Sequence, residues 1–267
     1  MSKDSDVEAA KEPSKASEPS VPLVPWKPWL GVIAAIIIFY GSQFFSSLII
    51  GMYGGLRGWN EAEATQFLQD SVWAQFIFIA VAESIVIGAL WLYLRRYKVG
   101  FSIIGLKRPR WRDLGYGLLA APVYFVIYLI SVALASHFIP GLDINQEQQI
   151  GFDNVTSGLP LVLTFISLVI LPPITEEIMV RGFLYSTLKK AMPMIAAVLL
   201  TSAIFAGAHL PEGGEAGPLS IAAPDTFILS LVLIYLREKT GSLWASITLH
   251  GIKNGVAFVA LFVLHVK

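Results

Sequence analysis

Three short motifs in the second half of this 267-residue chain hold side chains that can do chemistry together: Glu176-Glu177-Ile-Met-Val-Arg181, Phe205-Ala-Gly-Ala-His209 and His250-Gly-Ile-Lys-Asn254. On a helix, residues four apart share a face. Glu177 therefore pairs with Arg181, in the Glu-before-Arg order that also suits the helix dipole. Phe205 lies under His209, where its ring can fix the imidazole, and His250 shares a face with Asn254. Glu176 is turned from Glu177 by about 100° at ~3.6 residues per turn. Once Arg181 neutralises Glu177, Glu176 has no obvious partner on its own helix.

A carboxylate and an imidazole around one water can deprotonate it for attack on an amide carbonyl. A second imidazole and a side-chain amide can donate hydrogen bonds to the oxyanion that forms. A plainer reading stands beside this one: an intramembrane Glu–Arg pair is as readily a structural link, and a His at a helix end is often structural. The coincidence of two His, one Asn and two Glu in three otherwise apolar helices favours use, because polar groups in hydrocarbon are expensive. Glu83, in the middle of Ile79–Leu90, is as readily a structural hydrogen-bonding group as an acid and is placed outside the site. His137 and His265 fall at helix ends and read as interfacial.

Other chemistries find little support. The chain has no cysteine, which excludes a thiol nucleophile, thiolate zinc ligation and disulfides. It has no His-Glu-x-x-His and no Gly-x-Ser-x-Gly elbow, and Thr156-Ser157-Gly158 has no His placed to activate it. No Gly-rich phosphate loop suggests a nucleotide. Lys+Arg 19 against Asp+Glu 19 suggests no nucleic-acid partner. Zinc held by Glu176, His209 and His250 stays open as a minority mechanism.

The elements that must position these groups are membrane helices. The chain is 55% hydrophobic and 14% charged, with mean hydropathy +0.66, whereas a soluble domain has about a quarter of its residues charged. Apolar runs near the ~20 residues a spanning helix needs occur at Trp29–Tyr53, Val72–Leu94, Leu114–Phe138, Leu159–Leu171, Ile195–Ala208, Leu219–Leu236 and Leu243–Leu264. After Pro172-Pro173 the fourth continues as an amphipathic stretch, Ile174–Leu188, giving one kinked helix or two pieces. The expected fold is all-α, a polytopic transmembrane bundle of seven to eight helical segments. Residues 1–28 read as a disordered cytoplasmic tail, 29–158 as N-terminal membrane helices and loops, and 159–267 as the core that bears the motifs. Arg95, Arg96, Lys98, Lys107, Arg108, Arg110 and Arg112 crowd one loop, Lys189-Lys190 and Arg237/Lys239 mark two more, and Ile139–Gly158 and Pro211–Pro218 hold no Lys or Arg. The basic loops and the N-terminus are expected on the cytoplasmic side.

At the three motifs the chain resembles the CAAX-protease and bacteriocin-processing family, also called the Abi family, which includes the Rce1-type prenyl-protein endopeptidases. Gly182-Phe-Leu-Tyr after the first motif and Gly241-Ser-Leu-Trp-Ala-Ser-Ile before the third are similar to bacterial members. The resemblance covers roughly Leu159 to Phe262. It implies that Glu176 and His209 activate water, that His250 and Asn254 form the oxyanion hole, and that Glu177 and Arg181 support the site, with Phe205 packing beneath it. It further implies a metal-independent glutamate endopeptidase in a bacterial plasma membrane, acting on a peptide or protein at the bilayer without a cofactor. Val180 departs from the pattern, since an aromatic commonly precedes the motif Arg. A non-catalytic immunity or interaction protein of the same fold is the alternative. A transporter using Glu and His as a relay is disfavoured by the lack of an inverted repeat. One condition is geometric. His209 lies deep along a helix that begins near Met192, and His250 only a third of the way up its own. The turn at Lys189–Pro193 must sit shallow, or the helix after it must tilt, for the two to meet.

Overall fold

A computed structural model describes residues 24–139, 142, 151, 152, 155, 157–211 and 222–265. These residues form a helical bundle with no strand among them: α1 Pro28–Arg57, α2 Glu61–Asp70, α3 Val72–Arg96, α4 Trp111–Phe138, α5 Gly158–Ala191, α6 Met194–Ala208, α7 Ala222–Thr240 and α8 Trp244–Val263. Helices α1, α3, α4, α5 and α8 are each long and apolar enough to cross a bilayer. Their outward faces carry large apolar side chains such as Ile37, Phe44, Leu92, Leu119 and Leu129, the surface that hydrocarbon requires. The chain is an integral membrane protein.

Two elements differ from the sequence expectation. Helix α2 falls between the first two apolar runs, where no helix was expected. It is short and polar, and its start is fixed by a capping box: Glu63 N–H donates to Asn60 Oδ1 at 3.0 Å, and Asn60 N–H to Glu63 Oε2 at 2.8 Å. The last part of the stretch expected to be disordered is ordered, with Val24 and Trp26 buried against the bundle. Trp26 is fully buried among Tyr93, Tyr97 and Phe183 and donates its indole N–H to Thr187 Oγ1 at 2.9 Å. Lys190 Nζ donates to the carbonyls of Val24 and Trp26. Residues 1–23 lie outside the described residues, as does the expected start of the sixth apolar run at Leu219.

Helix α5 is the centre of the fold, in contact with α1, α3, α6, α7 and α8. Pro172-Pro173 does not split it. The helix widens into π turns at Ile166–Ile170, beside the carbonyls that the two prolines leave without donors, and again at Glu177–Leu184, while the chain stays helical. Val180 packs against both hydrophobic clusters, one built on α1, α3 and α5 and the other on α4, α6, α7 and α8.

Relative depth follows from a few close contacts. A Cβ at Gly182 would stand 3.2 Å from the Ile104 carbonyl and 3.2 Å from Leu243, so the start of α8 lies level with Gly182. From there α5 continues to Ala191, roughly 13 Å further at 1.5 Å per residue, before turning at Met192-Pro193. The α5–α6 hairpin therefore stands further out than the α7–α8 hairpin. Glu176 and His209 lie equally far from the α5–α6 turn, and His250 lies about as far below Leu243 as Glu176 does below Gly182. Unequal hairpins thus meet the geometric condition. The basic segments gather at this outer end: Lys189 Nζ bonds Glu238 at 2.7 Å, Trp244 Nε1–H donates to the Lys107 carbonyl, and Arg237 lies flat against Gly105.

Small residues set the approach of α4 to α8. A Cβ on Gly117 would fall 2.6 Å from the Ala245 carbonyl oxygen and 2.6 Å from Thr248 Cβ, whereas around Gly115 nothing lies within 4 Å. Gly117→Ala is expected to destabilise the detergent-solubilised protein by about 1–3 kcal/mol, the usual range for overpacking. Gly115→Ala is the matched control and leaves the melting temperature unchanged or slightly raised. Equal melting temperatures for the two variants would show that α4 and α8 are not held this closely.

Candidate active site

The Glu177 carboxylate is fully buried inside the bundle. An ionised carboxylate there needs compensation, and it receives two donors on one oxygen. Arg181 NH1 donates to Oε1 at 2.9 Å from the next turn of α5, and His250 Nδ1 donates to the same oxygen at 2.9 Å from α8. The first contact is the expected i,i+4 pair. The second joins two helices and orients the His250 ring, so that Nε2 turns toward Glu176 Oε2, 3.8 Å away. The Arg181 guanidinium lies 4.0 Å over the Phe205 ring, a cation–π contact suited to a desolvated site.

Phe205 is the hub on α6. Its ring meets His209 edge-on at 4.6 Å between centroids and His250 at 6.1 Å. The expected packing of Phe205 beneath His209 is present, and Phe205 also backs the other imidazole and the guanidinium. His209 caps the C-terminus of α6. Its Nδ1 is 2.8 Å from the Phe205 carbonyl. A carbonyl only accepts, so Nδ1 carries the hydrogen and Nε2 is left with its lone pair.

Asn254 is held by a vacancy that proline creates. Pro172 has no N–H to give the Leu168 carbonyl four residues earlier, and Asn254 Nδ2 donates to that oxygen at 2.9 Å. An amide NH2 has two hydrogens, so one remains. Gly251, a turn earlier, lets α8 lie close to the neighbouring Val169 carbonyl, which Pro173 leaves without its helical donor.

Glu176, His209, His250 and Asn254 all line one cavity of about 300 Å³, together with Phe205. Glu177 and Arg181 stand behind it, fully buried. Glu176 is the partly open member, its side chain 31% exposed, and its Oε2 has no hydrogen-bond partner among the described residues. Glu83 was placed outside the site by sequence, but the structure puts it next to it, with its carboxyl on α3 near Thr175 and within the electrostatic reach of Glu176 on α5. A charge in mid-helix was the only sequence signal for Glu83. His137 stacks edge-on against Phe138 at the end of α4, away from the site.

Residues 158–256 match the family model described as type II CAAX prenyl endopeptidase Rce1-like. Over this stretch the chain is similar to that family. The matched region opens with α5 and closes inside α8, so it contains all three motifs and their helices. Comparisons with curated proteins and with solved structures found no match.

Within the matched region the buried ion pair makes a testable demand. Arg181→Met leaves Glu177 without its guanidinium and is expected to cost about 3–5 kcal/mol. The double variant Glu177→Gln/Arg181→Met removes the uncompensated charge and is expected to be more stable than Arg181→Met alone. Thermal unfolding in detergent separates the cases, and a double variant no more stable than the single one would show that Glu177 is not a charged partner.

Proposed function

We propose that the chain is an intramembrane endopeptidase of the glutamate type, CAAX prenyl protease-like and independent of metal. The observation that carries this reading is the convergence of Glu176, His209, His250 and Asn254, from three helices, on one cavity. Glu176 and His209 Nε2 hold a water between them and take its proton as its oxygen attacks the peptide carbonyl carbon. The carbonyl oxygen becomes an oxyanion, which receives hydrogen bonds from His250 Nε2–H and from the second amide hydrogen of Asn254. His250 donates from both nitrogens as the imidazolium, and the Glu177 carboxylate on Nδ1 balances that charge. On collapse the C–N bond breaks, and the departing nitrogen takes the proton first removed from water. Glu177, Arg181 and Phe205 position the reacting groups without touching substrate.

Metal independence is supported by the donor set. Among the described residues no three His, Asp or Glu side chains are grouped to hold an ion. In this reading residues 159–267 are the catalytic core, and α1 to α4 frame it. The basic end and the N-terminus face the cytoplasm of a bacterial cell. The substrate is a peptide or protein segment at the membrane, with no cofactor.

The test is cleavage of a membrane-inserted peptide library by purified protein. Glu176→Gln is expected to lower the rate by about 10²–10⁴-fold, the span of general-base contributions. Asn254→Ala is expected to lower it by about 10²–10³-fold, as for loss of one oxyanion donor, and a chelator should change nothing. Undiminished cleavage by Glu176→Gln and His209→Ala would overturn the assignment. No cleavage by any form, with the fold intact, would favour the non-catalytic alternative, an immunity or interaction protein.

A further inference from the structure

The cavity is one-sided. From α5 it takes Leu168 and Pro172, which precede Glu176, and from α8 it takes Ala257 and Leu261, which follow His250. From α7 it takes Thr226, near that helix's start, and α6 ends at His209. Each of these places lies on the side of the site away from the basic end, because α5 and α7 run toward that end and α6 and α8 run from it. In the other direction the bundle is closed. Arg181, Phe183, Leu243 and Leu249 are fully buried between the site and the basic loops.

A second observation points the same way. In the open half, Lys253 Nζ lies 3.4 Å from Asp225 Oδ2, with the two side chains 22% and 17% exposed. Tyr124 donates its hydroxyl to the same carboxylate, and Lys253 and Thr226 line the cavity. A partly exposed ion pair within apolar helices is tolerable where water reaches it. The groups toward the basic end, Glu177 and Arg181, are instead sealed from solvent.

We propose that the site is loaded from the membrane face opposite the basic loops, the extracytoplasmic face by the charge rule. Its substrate class is an apolar peptide segment emerging on that face, not the tail of a cytoplasmic protein. The walls suit apolar side chains, and the Lys253–Asp225 pair offers polar atoms to the peptide backbone. Water for hydrolysis enters by the same path. This inference rests on the proteolytic reading for its substrate, but the direction of opening is independent of activity.

The absence of cysteine permits a direct test. Single variants Ala257→Cys and Leu261→Cys report on the cavity, Gln66→Cys on the loop face without the basic cluster, and Arg108→Cys on the basic face. Each is treated with a membrane-impermeant, positively charged methanethiosulfonate in right-side-out and in inverted vesicles. Ala257→Cys and Leu261→Cys are expected to react in the vesicles in which Gln66→Cys reacts, and to be protected where Arg108→Cys reacts. Two cavity positions guard against misfolding of either variant. Reaction of both from the Arg108 side, or from neither side, would overturn the proposal. The readout needs no cleavage, so an inactive protein with this labelling pattern would refute the protease and leave the opening in place.

Discussion

A single carboxylate oxygen organises this protein. Glu177 Oε1 accepts from Arg181 along its own helix and from His250 across to α8, in surroundings where an unbalanced charge is prohibitive. Meeting that demand dictates much else. The Arg181 guanidinium needs a face to rest on, and Phe205 supplies it. That brings α6 against α5 and carries His209 to the same cavity. The His250 ring, fixed at Nδ1, has only Nε2 to offer. The groups that line the cavity follow from how the buried pair is neutralised.

Much of this was legible in the sequence where the relevant contacts are local. The Glu177–Arg181 pair and the Phe205–His209 packing follow from i,i+4 spacing and were expected. Contacts between helices were not, because spacing fixes a residue's place on its own helix but not the rotation of that helix against a neighbour. The bond from His250 to Glu177 and the bond from Asn254 to the Leu168 carbonyl are of this kind. Glu83 shows the limit most plainly: its burden in hydrocarbon was visible, yet its neighbours Thr175 and Glu176 come from a helix about ninety residues on. Helix α2 was missed for a different reason. It is polar and short, and a search for spanning runs passes over the Asn60–Glu63 cap.

The Pro172-Pro173 pair was read as giving one kinked helix or two pieces, and the helix runs on as one. The pair leaves carbonyls without their usual donors, and the adjoining helix uses one of them to seat Asn254. A local defect in α5 thereby becomes an alignment mark for α8. The depth mismatch between His209 and His250 resolves in a similar way, through the excess length of α5 beyond Gly182 and not through any distortion near the site. That excess is anchored by Trp26 and Lys190, which join the N-terminal segment to the outer end of the bundle.

The shared oxygen has a further consequence for motion. Separating α8 from α5 would strand a buried carboxylate, at a cost of about 3–5 kcal/mol, so these two helices behave as a rigid pair. Any breathing that widens the cavity must therefore fall to helices with no stake in that oxygen. α4 and α7 meet this condition. They meet at the Tyr124–Asp225 contact, whose carboxylate also holds Lys253 of α8, and that contact would act as the latch of such a gate.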